Sequence, residues 1–464
     1  MLTYNLEARE GLPLYEYLYR RIRTDILDGT LAADERLPSK RTLAEHLQVS
    51  VVTVEGAYRQ LEAEGYVCTR PRQGFFVLPV ERTAPPDAVP ERNVLPSIPP
   101  PVWRLDLRNN HVGGVRFPAS VWARLTRQAL SDGGLFDPLP HQGLLALRQA
   151  IAGSLRDFRG MAVSPEQIIV GAGAEYLYLI LVQLLDGNRK AVFALEDPGY
   201  PKIRQVYGKW GADCRPVPLD SQGVCPDALE AVKANVLHIS PAHHYPTGIV
   251  TPIARRQALL RWAEGANGVI IEDDYDSELR FAGRPIPTLQ SIDAAGRVVY
   301  MNTFSQTISP SMRVGFMVLP PWLLERYRQE LDFYACTVPA LEQQVLARFL
   351  SGGWYDQHVN RLRKEYRTRR AAVLEAFASS AFAGKVTIQE QGAGLHFLLR
   401  LDTAQSDEAL RKKAEGLGVR LGFLSEYAEI PHPDYEHTLV VNYAGLDAER
   451  LPEAMELLEE IFSV

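Results

Sequence analysis

The chain has 464 residues, more than one ordinary domain holds, and 46% of them are hydrophobic, enough for a large core. A formal charge of −6 argues against a broadly basic surface, and four scattered cysteines (Cys68, Cys214, Cys225, Cys336) without CxxC spacing read as plain thiols in a reducing compartment. The opening MLTYNLEARE lacks the basic-then-apolar pattern of a secretion signal. The longest apolar run, Tyr176 to Leu185, falls well short of the roughly 20 residues of a membrane helix, so a cytoplasmic location with no membrane partner is expected.

Leu14 to Leu27, LYEYLYRRIRTDIL, carries apolar residues at helical spacing, and Gly29 ends that helix. A second helix is expected in LPSKRTLAEHL, Leu37 to Leu47, with Ser39 as its cap, because a serine hydroxyl accepts an orphan backbone N–H. Ser50 caps a third helix that runs to about Glu64, with Gly65 after its end. Tyr66 to Leu78, YVCTRPRQGFFVL, reads as two short strands around a turn containing Gly74. Three helices and a hairpin make a winged helix-turn-helix. Its third helix would lie in the major groove of a double-stranded DNA operator and present Ser50, Val51, Val52 and Thr53. Lys40, Arg41, Arg70 and Arg72 would meet phosphates or, from the wing, the minor groove; Ser39, Gln73 and Gly74 complete the DNA-facing set.

The positions Gly29, Arg36, Leu37, Pro38, Ser39, Arg41, Leu43, Ala44, Leu47, Val49, Ser50, Thr53, Val54, Tyr58, Leu61 and Gly65 together resemble the GntR family of bacterial regulators. Many members of that family carry an arginine where this chain has Val51; a valine there could still contact a thymine methyl. Residues 1–78 hold ten Lys and Arg against eleven Asp and Glu, a net of −1, so phosphate-driven DNA affinity is expected to be modest and salt-sensitive. The other use of such a head is as a protein-interaction module. A Pro-rich linker, residues 79–104, follows; its prolines from Pro79 to Pro101 make it extended and semi-rigid.

From Leu105 onward, strands alternate with helical patterns, the sign of an α/β domain with a mainly parallel sheet. QIIVGAGAEYLYLILVQLL, from Gln167, places a Gly-rich turn between a strand ending at Val170 and a helix starting near Ala174, where backbone N–H groups can hold an anion. EDPGYPK, from Glu196, turns at Pro198–Gly199 and continues into Tyr200 and Lys202. LHISPAHHYPTG, from Leu237, carries His243 and His244, but adjacent side chains point apart and no carboxylate pattern accompanies them, so no metal is expected. GVIIEDDYDSELRF, from Gly268, is a buried strand with acids at its C-terminal end, where α/β sheets place ligands; Asp274 and Asp276 read as turn and surface contacts. MNTFSQTISPSMRVGFMVLP, Met301 to Pro320, follows the apolar strand Val298–Tyr300 and carries Thr303, Ser305, Gln306 and Arg313 at a loop's end.

These stretches together resemble fold-type I pyridoxal-phosphate (PLP) proteins, and EDDYDSE resembles in particular the MocR regulators, which fuse a GntR-type head to an aminotransferase-like body. The resemblance spans about residues 12–464 and implies a winged helix-turn-helix in residues 1–78 followed, in residues 105–464, by a fold-type I PLP-dependent aminotransferase-like domain of the α/β class. It also implies a cofactor site. Gly173, Ala174 and Glu175, with Thr303 and Arg313, would hold the phosphate, the arginine through its fixed fork of donors. Tyr200 would stack on the pyridine ring. Asp273 would pair with the ring N–H and keep it protonated, and Tyr275 would bond the phenolic oxygen. Ser305 stands where the family pattern has its serine, and Lys202 where some members hold an effector carboxylate.

Two positions depart from the pattern. The Schiff-base lysine is replaced by Gln306, whose amide can only donate and accept hydrogen bonds. The arginine that clamps a substrate carboxylate falls at Val440, in TLVVNYAGL. The implied function is therefore a regulator, not an enzyme: a head-to-tail homodimer whose body senses PLP as a non-covalent effector and controls vitamin B6 metabolism. The alternatives are a PLP-dependent aminotransferase with a regulatory head, a regulator answering to a PLP–amino acid adduct, and a DNA-bound scaffold with an inert pocket. The sequence leaves open whether Gln306 is natural or an introduced replacement of lysine, which operator is read, and whether the regulator activates or represses.

Overall fold

The computed structural model describes residues 1–9, 11–80, 101–108, 117–133, 135–187, 190–281, 286–389, 394–446 and 448–463. Most of the Pro-rich linker, residues 81–100, lies outside them. The chain forms two compact units, Met1–Pro100 and Pro101–Val464.

In the first unit, helix Leu14–Leu27 buries Leu18, Ile22 and Ile26, one stripe at a spacing of four residues. Helix Lys40–Leu47 starts where the Ser39 hydroxyl accepts the Thr42 N–H, and helix Val51–Ala63 where Ser50 accepts the Thr53 N–H. Between them Gln48 takes a left-handed conformation, φ 55°, which turns the chain sharply from one helix into the next. The strands Val67–Arg70 and Gly74–Val77 pair antiparallel, with Arg70 opposite Gly74. Gly74 thus opens the second strand instead of sitting in the turn; the turn is made by Pro71, Arg72 and Gln73, with Arg72 at φ 62°. Tyr58 is fully buried at the centre, its hydroxyl donating to the Pro38 carbonyl at 3.0 Å and its ring meeting Phe75 edge-on.

The second unit is built on an eight-stranded sheet. In spatial order its strands are Ile168–Gly171, Gly315–Val318, Val298–Thr303, Val269–Asp273, Val236–Ile239, Val192–Asp197, Asp213–Asp220 and Gly223–Val224. The run from Val298–Thr303 through Asp213–Asp220 is parallel; Gly315–Val318 and Gly223–Val224 pair antiparallel. Alternate residues enter opposite cores, as a sheet covered on both faces requires: Ile169, Met301 and Met317 one way, Val170, Tyr300 and Phe316 the other. The strand after Arg297 extends to Thr303, three residues past the apolar Val298–Tyr300, because Asp273 and Gly315 provide ladder neighbours up to that point.

A smaller antiparallel sheet, Val386–Gln389, His396–Leu401 and Thr438–Asn442, packs its apolar residues against helix Leu451–Phe462 and part of the 25-residue helix Trp354–Ala378. Among the described residues no helix is long and apolar enough to cross a membrane.

Candidate functional site

The strand directions bring the singled-out residues of the body to one edge of the large sheet. Thr303 lies opposite Gly315, Gly315 opposite Gly171, and Met301 beside Asp273. The C-terminal ends of three strands and the start of an antiparallel one therefore converge, which is where open α/β sheets bind ligands.

At one end of this edge, Gly173 caps helix Ala174–Leu185 with φ 85°. A Cβ there would stand 2.8 Å from Arg313 Nη2 and would push the guanidinium aside, and the positive φ itself favours glycine. Arg313 itself has φ 51°, an uncommon conformation for a non-glycine residue. Its Nη2 donates to Glu175 at 2.5 Å, and Lys202 Nζ donates to the other Glu175 oxygen at 2.9 Å. Burial alone would raise the Glu175 carboxyl; the bonds from Lys202 and Arg313 outweigh it and hold it down to about 2. Glu175, expected to help hold an anion, thus also places its own carboxylate between the two cations. Ala174 contributes no side-chain donor.

The next strand ends in Asp273, which is buried. Its Oδ2 accepts from the Tyr178 hydroxyl at 2.5 Å and lies 3.5 Å from His238 Nε2, while the other His238 nitrogen bonds the Tyr207 hydroxyl at 2.9 Å. Burial first, and then the Asp273 charge, push the Tyr178 phenol far up, so it stays a donor. Neither Tyr178 nor His238 was singled out in the sequence. Tyr178 falls one helical turn after Ala174, a signal that was available; His238 becomes a neighbour only through its register opposite Ile271.

Tyr275 sits two residues on, its hydroxyl 3.3 Å from His243 Nδ1, which bonds Asp276 at 2.7 Å. Asp276 and Asp274 are both buried, which corrects their reading as turn and surface residues. Asp274 pairs with Arg159 at 2.7 Å and accepts from Tyr300 and Ser277. A carboxylate with this many partners is held inside, because leaving it unpaired there would be costly. His244 meets Glu196 at 3.5 Å; burial lowers the imidazole to about 3 and raises the carboxyl to about 8, so both are neutral near pH 7.

Thr303 is buried as the last residue of its strand, which corrects its placement in a loop. Ser305 and Gln306 follow, half-buried, and Gln306 Oε1 is shielded from solvent with no hydrogen-bond partner. Tyr200 is 41% exposed and meets Tyr245 edge-on at 6.0 Å. Val440 is fully buried in an apolar group with Tyr245, Leu398, Leu424 and Tyr427, against which Tyr275 packs.

In the head, Val51 and Val52 are 41% and 75% exposed at the start of their helix. Ser50 and Thr53 bond each other at 2.7 Å as part of the cap, and Ser39 does the same with Thr42. Lys40 pairs with Glu55 at 3.0 Å, and Arg70 with Asp34 while stacking on Phe76. Arg41, Arg72 and Gln73 are exposed and Gly74 is half-buried.

Such a head in front of such a body defines a transcription regulator built on an aminotransferase fold. The model for "Bacterial regulatory proteins, gntR family" matches residues 14–77, and that for "Aminotransferase class I and II" matches residues 105–458. The chain is 34% identical to the HTH-type transcriptional regulator YdeL of Bacillus subtilis over the full length of both. It is 33% identical to the probable rhizopine catabolism regulatory protein MocR of Rhizobium meliloti, over 98% of this chain and 95% of that one. It is also 33% identical to the pyridoxine biosynthesis regulator PdxR of Corynebacterium glutamicum, over 89% of each. Among solved structures, the α-aminoadipate aminotransferase LysN of Thermus thermophilus, complexed with N-(5'-phosphopyridoxyl)-L-leucine, matches with a TM-score of 0.66 at 24% identity, over 77% of this chain and 92% of that one, and shows the fold. The chain belongs to the MocR subfamily of GntR-type transcription regulators.

Proposed function

We propose that the body binds a vitamin B6 phosphate non-covalently and that this ligand sets how the head binds its operator. The observation that carries the reading is the edge formed by Gly173, Arg313, Thr303 and Asp273: a cup for an anion at one end and a buried carboxylate at the other. The residues fit pyridoxal phosphate. Gly173 leaves the room a Cβ would fill, Arg313 and Lys202 supply positive charge that Glu175 now balances, and Asp273 can accept from a ring N–H. When bound, the cofactor supplies an electron-withdrawing ring and an aldehyde. Here Tyr178 holds Asp273 through its hydroxyl, with His238 3.5 Å away, while Tyr275 would meet the phenolic oxygen, Tyr200 would cover the ring, and a phosphate would compete with Glu175 for Arg313. Gln306 stands in the place of the lysine and forms no covalent bond, and Val440 gives an apolar wall where a carboxylate clamp would be. Amine transfer is therefore not expected.

The name of PdxR, which links that relative to pyridoxine biosynthesis, supports vitamin B6 metabolism as the controlled process. The same reading takes residues 1–78 as the DNA-binding head, residues 79–104 as the linker, and a head-to-tail homodimer as the working form. Ligand can shift the head only if the two states bind it with different affinity.

Binding sites selected from random duplex DNA, then measured by fluorescence anisotropy with and without saturating pyridoxal phosphate, test the proposal. The expected result is a change in operator affinity of at least about five-fold, the lower end of ordinary allosteric coupling. Unchanged affinity at saturation, or no saturable binding of the phosphate, would contradict it.

A further inference from the structure

Gln306 points to the form of the ligand. Its Oε1 is buried, and no group of the described chain donates to it. A buried carbonyl oxygen without a donor is unfavourable, so a ligand that brings an N–H to it gains an interaction the free protein lacks. Arg313 and Asp273 already have partners in Glu175 and Tyr178. They meet the phosphate and the ring nitrogen, which all vitamin B6 phosphates share. The position of Gln306 is where the forms differ. The aldehyde of pyridoxal phosphate offers only an acceptor oxygen at the 4' carbon, whereas an amine there offers N–H groups.

We propose that Gln306 makes this pocket selective for the amine form, pyridoxamine 5'-phosphate or a phosphopyridoxyl amine, over the aldehyde. The inference rests on the vitamin B6 reading above and goes further in naming the species sensed. A lysine at this position would favour the aldehyde, with which it can react; a glutamine reverses the preference by presenting a carbonyl. Such a sensor reports the aminated share of the B6 pool.

Calorimetric titration of the full chain with pyridoxal phosphate, pyridoxamine phosphate and N-(5'-phosphopyridoxyl)-L-leucine tests this, each on the unaltered protein and on Gln306→Met and Gln306→Glu. At least one amine is expected to bind about ten-fold or more tighter than the aldehyde, the scale of one hydrogen bond to an otherwise unpaired buried group. That ratio should fall close to one in Gln306→Met, which keeps the length and removes the acceptor, and persist or rise in Gln306→Glu, which keeps an acceptor. Whichever amine binds tighter identifies its source. Equal or tighter binding of the aldehyde to the unaltered protein, or an unchanged ratio in Gln306→Met, would overturn the inference while leaving the vitamin B6 reading intact. Absence of binding by all three would overturn both.

Discussion

The edge of the large sheet and the wall facing it are built on opposite principles. On the edge, charged groups have partners: Arg313 and Lys202 on Glu175, Arg159 on Asp274, Tyr178 on Asp273. On the wall, Val440, Leu398 and Leu424 pack with Tyr245 and Tyr427, whose hydroxyls approach to 3.1 Å. A paired edge can exchange an internal partner for a ligand at small net cost. The Val440 side chain offers a carboxylate no donor. On the reading proposed above, the site would keep what grips a cofactor and lack what grips an amino acid.

Mutations should separate the two sides. Asp274→Ala strips Arg159 of its buried partner and is expected to cost about 3–5 kcal/mol, read as a large fall in melting temperature. Val440→Ala on the wall removes two methyl groups and should cost about 2 kcal/mol. Equal losses at the two positions would break the comparison. Arg313→Ala should lower the affinity for pyridoxal phosphate by about 100-fold in calorimetry, since it removes a charge-assisted fork of donors. It should leave the melting temperature nearly unchanged, because its pair with Glu175 is half-exposed.

Stability should also depend on pH through Glu196. Its native carboxyl, raised by burial to about 8, keeps a proton that the unfolded chain releases near its ordinary value of 4.5. Its contribution is fully present below about 4.5 and is lost as pH rises through about 8, with a slope of up to about one proton. Glu272 and Glu278, raised by burial to about 7, act in the same window, so Glu196→Gln should reduce the slope of denaturation midpoints between pH 5 and pH 8 by up to about one proton; an unaltered slope would place the effect elsewhere. The smallest effect belongs to the head: Ser50→Ala should cost about 1 kcal/mol by removing the cap that accepts the Thr53 N–H.

Much of this was legible because it is local. The helix Leu14–Leu27, the caps Ser39 and Ser50, and the helix start at Ala174 are each written in a few adjacent residues. The strand Val269–Asp273 was visible as an apolar run ending in acids. What escaped depends on register between distant strands. Met301 beside Asp273 carries the strand on to Thr303, and His238 opposite Ile271 brings an imidazole to a carboxylate 35 positions away. The burial of Asp274 and Asp276 escaped for the same reason, since Arg159 and His243 come from other segments. Glu175 was read as part of an anion-holding turn, and its carboxylate turns out to link Arg313 and Lys202.

The most direct measurement is calorimetric titration of the full chain with pyridoxal phosphate, followed by borohydride treatment and intact mass, alongside Gln306→Lys. Saturable binding to the unaltered protein with no mass added after reduction is expected, and a stable mass increase in Gln306→Lys. No binding to the unaltered protein, or a covalent increase in its mass, would contradict the non-covalent reading.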